Sequence, residues 1–508
     1  MTTSMESLSS AKLLRNLLSN YTVGAIAGVS VIVLTRVLFQ HLGAERYAAY
    51  ALAAATAAAL EALDSALSET LLRYLSEHRA HQQLQAAPRL ASTMFWFMLI
   101  VGAVLTGLFL VCARWVVPHL ATPAMAAMAM PAIMIMSAAT VFQFGSAGLR
   151  AYLIAFEDFR LAAAVESGYL LLTLGATLVV AYRGGSLTQV AAVWPAVALV
   201  RLGSYLAVMR SASIPFVPRP AMCDFRLLRR MRTFSLLAFV EDGARRLYLQ
   251  TDMFIAARAL PVVDVATLSL ARRLPNAFSN LPSYALQVAY PRLVAAHVRG
   301  EGQNTRKFVA ISGRNILALF LPLVVVLWVW AEVLLRTWIG PEAIPAVPIL
   351  RWLLVCGILR AVYDGALTMA YGAADLKLST GVVLAMLFAV IVIGTLATRR
   401  AELFGLAATL VGVQLLGTVG LVYRVMRVTR MSGWYWLRHA IVPLLPPLLL
   451  SGGWLVISKR FLPPTFAAMA LSSLVAWVLF AATFVVMATG FRWSPWRVRF
   501  RVLLVGHE

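Results

Sequence analysis

Residues Leu13–Leu52 run LLRNLLSNYTVGAIAGVSVIVLTRVLFQHLGAERYAAYAL. From 17 to 40 the stretch is mostly apolar, and Arg36 is its one formal charge. A helix of that length crosses a hydrocarbon core of ~30 Å. His41, Gly43, Glu45 and Arg46 then interrupt the apolar run, and small residues resume it over 46–72. The stretch therefore predicts two membrane helices joined by a tight polar turn.

The same alternation continues along the chain. Spans are expected near 17–40, 46–72, 91–117, 124–150, 161–182 and 188–209, then 233–258, 266–291, 312–335, 346–372, 378–398 and 403–423, with two more at 439–458 and 465–490. The predicted fold class is all-α polytopic membrane protein, with about fourteen transmembrane helices in all. Composition agrees: 61% of the 508 residues are hydrophobic and 13% charged, against about 25% charged in a soluble domain. The longest polar stretch, 211–232, is too short for an independent soluble domain. The first ten residues are polar, and no signal peptide is read in them.

The net charge of +23 has no basic soluble surface to sit on, so no nucleic-acid partner is expected. With the N-terminus inside, about 27 basic residues fall on inner segments and about 9 on outer ones, as the positive-inside rule requires. The inner set includes Arg226, Arg229, Arg230 and Arg232, then Arg299, Arg306 and Lys307, and Arg424, Arg427 and Arg430. Arg399, Arg400, Lys459 and Arg460 run against the trend. Both termini are expected in the cytoplasm.

Thr35–Ala53 and Thr251–Ala271 both show an apolar helix end, a polar turn and a small-residue helix. Six helices separate them, so two six-helix lobes in parallel pseudo-repeat are expected, followed by two C-terminal helices. The predicted organisation is an N-terminal lobe over 1–210, a basic linker over 211–232, a second lobe over 233–428, and a C-terminal part over 429–508. In many secondary carriers the substrate site lies at the interface of such repeats.

Ionisable side chains in mid-bilayer cost about 3 kcal/mol, so they face a cavity or a partner. Tyr50, Ala57, Glu61, Asp64 and Ser68 share one face of the second span. Gln143, Ser146 and Arg150 do so in the fourth, and Glu241, Arg245, Tyr248 and Asp252 in the seventh. The eighth carries Arg273, Asn276, Asn280, Tyr284 and Gln287, with Pro275 and Pro282 in its backbone. Arg360, Asp364 and Tyr371 align in the tenth, and Arg201 sits mid-way along the sixth. Any single pair, such as Glu241 with Arg245 at i, i+4, can serve helix docking alone. Polar stripes on so many helices point further, to a hydrated cavity whose buried charges lean basic. Arginine suits bidentate capture of phosphate oxygens. The candidate substrate-binding set is Arg245, Arg273, Arg360, Arg201, Arg150, Tyr248, Asn276 and Asn280. Glu61, Asp64, Glu241, Asp252 and Asp364 form the coupling or structural acidic set.

Catalytic signals are lacking. There is no HExxH and no Walker A sequence. Cys112, Cys223 and Cys356 lie far apart with no metal-ligand spacing. No cofactor, metal or enzymatic activity is expected.

The opening stretch, with Leu42, Gly43, Glu45, Arg46 and Tyr47 at its turn, resembles the start of Wzx-type polysaccharide flippases of the multidrug/oligosaccharidyl-lipid/polysaccharide transporter superfamily. Asp252, Leu270–Leu274 and Tyr290–Pro291 extend the resemblance. Ala44 and Ala48 depart from the family's frequent Pro and Gly, and 151–159 matches only loosely. The resemblance implies two six-helix lobes, alternating access, and an undecaprenyl-pyrophosphate-linked oligosaccharide moved across the bacterial cytoplasmic membrane. It implies membrane lipids, a polysaccharide polymerase and chain-length machinery as partners. Two alternatives stand beside it: a cation-coupled multidrug exporter of the same superfamily, and a membrane-embedded glycan polymerase or glycosyltransferase. A non-transporting scaffold for polysaccharide assembly is a further reading.

Overall fold

A computed structural model describes residues 2–80, 87–212, 216–224, 226–278, 302–372, 376–428 and 430–489. Among these residues the chain is helical throughout, with no strand. Among the described residues ten helices are long and apolar enough to cross a membrane. Lipid as the solvent is written on the surface of the helix Ala87–Leu120 (α2): Ile100, Val104, Leu108, Val111 and Trp115 recur at helical spacing and are each half or more exposed. Water would not tolerate so continuous an apolar stripe on a folded chain.

The first two expected spans form one element, α1 (Thr2–Ala80), bent at Gly43, where φ is 75° and ψ 167°. A β-carbon disfavours that left-handed geometry, which glycine adopts freely. Across the bend Phe39 meets Tyr47 edge-to-face at 5.4 Å, and Tyr47 meets Tyr50 at 6.3 Å. The polar turn of the sequence is thus a glycine corner braced by aromatic rings.

Next come α3 (Pro123–Ser137), α4 (Ala139–Ala155), α5 (Phe159–Tyr182) and α6 (Leu187–Val208). The expected span 124–150 is therefore interrupted at Ala138. Ser186 caps α6 through a capping box with Gln189. After the linker, α7 (Arg226–Ala259) and α8 (Val262–Phe278) follow. The rest of the expected span 266–291, with Asn280, Tyr284, Gln287 and Tyr290–Pro291, lies outside the described residues.

Further on are α9 (Gly302–Trp338), α10 (Ala346–Gly372) and α11 (Leu376–Ala389), then a π turn over Val390–Gly394 and α12 (Thr395–Val428). The break expected between 398 and 403 appears as non-helical backbone at Ala401 and Glu402. The expected span 439–458 starts irregularly. A short helix α13 (Gly433–Trp436), a π turn and a 3-10 turn precede α14 (Leu445–Phe461). Pro443, Pro446 and Pro447 crowd this segment and lack the N–H that a regular helix needs. α15 (Phe466–Thr489) completes the described chain.

The chain divides into two compact units, Met1–Ser269 with Val383–Leu406, and Leu270–Val382 with Ala407–Glu508. In the first, α1 packs against α3, α4, α5 and α7, while α2 packs on α4. Gly102 of α2 lies against Phe144 so closely that an added β-carbon would stand 3.0 Å from its Cβ. Small residues of this kind let membrane helices approach closely. Tyr152, Phe156 and Phe216 stack nearby, with Tyr152 4.7 and 4.5 Å from the other two rings. In the second unit α9 packs against α10, α14 and α15.

Inside the first unit, turns expected on one membrane face meet one another. His41 Nε2 lies 3.0 Å from the Gly185 carbonyl oxygen, and the Thr122 N–H donates to Ala257 O at 2.9 Å. On the expected opposite face, Asp224 N–H donates to Thr93 Oγ1 at 2.9 Å. These contacts agree with helices that alternate in direction through this unit.

Candidate functional site

Gln143 and Arg150 lie on α4, two turns apart, with Ser146 between them on the same face. Ser146 donates its hydroxyl proton back to the Phe142 carbonyl at 2.8 Å. Gln143 is buried and bridges two other helices. Its Nε2 donates to the Tyr169 hydroxyl of α5 at 3.1 Å, and its Oε1 accepts from Arg201 Nη1 of α6.

Arg201 is the hub of this group. Its Nη2 donates to Glu166 Oε1 of α5 at 2.5 Å, and its guanidinium lies 4.7 Å from the Tyr169 ring and 5.9 Å from the Tyr205 ring. The Tyr205 hydroxyl donates to the same Glu166 oxygen at 2.5 Å. Arg150 Nε stands 3.8 Å from it, with the Arg150 side chain 49% exposed against 14% for Arg201. The Arg201 cation is therefore largely engaged by the protein, while Arg150 keeps half its surface open.

A second group lies on α7. Asp242, 6% exposed at its side chain, is held by Arg245 one turn on and by Arg246 Nε at 3.2 Å. Glu241 beside it is fully buried. Tyr248 is buried too, and Asp252 accepts from the Met253 N–H at 2.9 Å. Asp242, which the sequence reading did not single out, thus pairs with Arg245 at i, i+3.

Glu61 and Asp64, on the arm of α1 beyond Gly43, connect the two groups. Arg201 and Arg246 both lie within Coulombic range of Glu61. Arg246, Arg201 and Arg150 lie within range of Asp64. Glu61 Oε1 is enclosed and accepts no hydrogen bond among the described residues. The sequence-derived set, taken over both units, held five arginines and five acids; in this cluster Glu61, Asp64, Glu166, Glu241 and Asp242 outnumber Arg150, Arg201, Arg245 and Arg246. The reason is that α5 and α7 each contribute a carboxylate, Glu166 and Asp242, absent from the sequence-derived set.

Glu166 was legible in principle. It stands alone as a charge in the apolar run of α5, with Tyr169 and Thr173 following at i+3 and i+7. An isolated acid in a membrane span needs a partner. Asp242 was masked by its neighbour Glu241.

In the second unit Arg360 Nε lies 3.7 Å from Asp364 Oδ2 at i, i+4 on α10. Arg273 is half-buried and Asn276 exposed on α8, and Asn280 falls outside the described residues. Among the described residues no three His, Cys, Asp or Glu side chains group to hold a metal ion.

Comparison with known proteins places this geometry in context. The family described as "Polysaccharide biosynthesis protein" matches residues 11–297. No curated protein matches the sequence. Among solved structures, the lipid II flippase MurJ in an inward closed conformation is similar at a TM-score of 0.68 and 11% identity, over 93% of this chain and 98% of that one. An inward-facing multidrug-resistance MATE transporter of the MOP superfamily is similar at 0.62 and 16% identity, over 81% and 96%. The eukaryotic MATE transporter AtDTX14 gives 0.64 and 14% identity, over 84% and 99%. At these identities the likeness concerns the fold.

Proposed function

The chain belongs to the polysaccharide biosynthesis protein family, and from that premise we propose that it is a flippase for undecaprenyl-pyrophosphate-linked oligosaccharide. The protein is a multi-pass membrane protein. In this reading it lies in the bacterial cytoplasmic membrane with about fourteen spans and both termini inside. Two lobes work by alternating access, and the glycan is delivered to a polysaccharide polymerase and chain-length machinery. Family membership and fold both favour transport over polymerisation or glycosyl transfer.

The observation that carries the reading is the division of labour among the arginines of the first unit. Arg201 is engaged by Glu166 and Gln143 and holds α4, α5 and α6 in register. Arg150, with its side chain 49% exposed and its Nε 3.8 Å from Glu166, keeps surface open to an incoming anion, and Arg245 is held by Asp242 at the edge of the same cluster. A guanidinium so placed offsets the desolvation of a pyrophosphate. Arg273, Arg360, Tyr248, Asn276 and Asn280 complete the proposed substrate-facing set, with Asp252 and Asp364 as structural acids.

The test is export of lipid-linked glycan in cells lacking the wild-type chain. Arg150→Ala and Arg245→Ala should lose export at normal membrane abundance, and the lysine variants should retain part of it. Full export by both alanine variants would remove the head-group role.

One observation favours the second reading, cation-coupled export. Carboxylates outnumber arginines in the named cluster, and the enclosed Glu61 oxygen accepts no hydrogen bond among the described residues. A proton or cation at Glu61 or Asp64 would balance that set. Efflux of cationic dyes, lost in Glu61→Gln with glycan export absent from the wild type, would select this reading.

A further inference from the structure

Arg314 lies near the N-terminal end of the apolar part of α9, in the second unit, and is 8% exposed. Its Nε is enclosed and makes no hydrogen bond among the described residues, and its guanidinium lies 5.6 Å from the ring of Phe484 on α15. Three other cations of this unit have partners: Arg360 has Asp364, Lys459 has the Val329 carbonyl, and Arg427 has the Tyr423 hydroxyl. Among the described residues no ion pair forms at Arg314. A buried guanidinium without a counter-charge is strongly destabilising, and the contact with one aromatic face offsets only a small part of that.

The surroundings suit an anion with a hydrocarbon tail. Trp436 Nε1 stands 3.7 Å from the point where a β-carbon on Gly313 would lie. The same turn of α9 borders a small apolar groove lined by Gly313, Leu317, Gly365, Val422, Met426 and Trp436. We propose that this turn is a binding site for a phosphate-bearing lipid, with Arg314 holding the phosphate and the groove taking part of the chain. Arginine presents a planar fork that matches phosphate oxygens, and basic pockets between membrane helices are known to hold lipid head groups. Two sources offer this chemistry: a bulk anionic phospholipid, and the pyrophosphate of a polyprenyl lipid. The site does not depend on the transport reading, because a bound phospholipid need not be transported.

The experiment is native mass spectrometry of the purified full chain titrated with phosphatidylglycerol, phosphatidylcholine or undecaprenyl pyrophosphate. Wild type should bind one of the anionic lipids about tenfold more tightly than Arg314→Gln, which is the loss of one charge-assisted contact. The exposed Arg336→Gln variant should bind like wild type, and Arg314→Lys should fall between. Discrimination on phosphatidylglycerol supports the site with bulk lipid as its source. Discrimination on undecaprenyl pyrophosphate alone supports it with the polyprenyl lipid. Equal binding of both anionic lipids by wild type and Arg314→Gln overturns it. If Arg314→Gln fails to fold, the wild-type melting temperature decides: it should rise with one of the anionic lipids relative to phosphatidylcholine, and no rise with either overturns the proposal.

Discussion

Arg201 Nη2 and Glu166 Oε1 lie 2.5 Å apart and join α6 to α5 inside a unit whose outer surface faces lipid. Both side chains are only 14% exposed. Neither charge would be stable there alone, and each is what makes the other tolerable. The pair also recruits Gln143, Tyr169 and Tyr205, so three helices share one electrostatic centre.

Removing one member strands the other. Glu166→Leu should cost about 3–5 kcal/mol of stability, because the Arg201 charge is left buried without compensation. The double variant Glu166→Leu/Arg201→Met should recover most of that loss, since apolar replacements of a buried pair are close to neutral. Thermal midpoints in detergent measure both. A Glu166→Leu chain as stable as wild type would mean the pair is not the counter-ion arrangement described.

The corner at Gly43 depends on its backbone. Gly43→Ala should destabilise by about 1–2 kcal/mol, the penalty of a β-carbon at left-handed φ, although nothing lies within 4 Å of the added atom. Gly28→Ala, also in open space but without positive φ, should be neutral or stabilising by about 0.5–1 kcal/mol, because glycine is a poor helix residue. Equal effects at the two positions would show that the bend is not conformationally demanding.

Sidedness can be read from thiol labelling. With Cys112, Cys223 and Cys356 replaced, cysteines at Glu45, Arg183 and Arg258 should all react with an impermeant reagent added to intact cells. A cysteine at Asp224 should react only after the membrane is opened. The first three sit beside turns that meet in the structure, at His41 with Gly185 and at Thr122 with Ala257. A split result among those three would contradict the contacts.

The native Cys223 lies in the linker, with Sγ 3.8 Å from the Ser92 carbonyl oxygen. Burial pushes its thiol above the ordinary range. Less thiolate is present at a given pH, so alkylation should be slower than for an exposed cysteine in the same linker. The rate should keep rising with pH beyond the point where an ordinary thiol levels off. A plateau at the usual thiol pKa of about 8.5 would show the group to be solvated.

Hydropathy was enough to establish the class of this protein. Apolar runs long enough to cross a bilayer leave a chain no option but helices, since every backbone group must be satisfied within its own segment. The corner at Gly43 was legible for a similar local reason: a polar turn between two apolar runs needs a residue free to take positive φ. The break at Ala401–Glu402 fell where the two expected spans met. Which charges pair was not legible, because periodicity places a side chain on a face of its own helix and says nothing of the helix opposite. Arg201 was singled out as a lone cation, yet its partner Glu166 lies 35 positions away on α5. Asp242 and Arg314 show the same limit in opposite directions: one holds two arginines together, and the other is a buried cation with no ion pair among the described residues. Segment length and local hydropathy determined that this chain crosses a membrane many times, whereas the long-range electrostatics that distinguish an engaged arginine from an available one arose only when the helices packed.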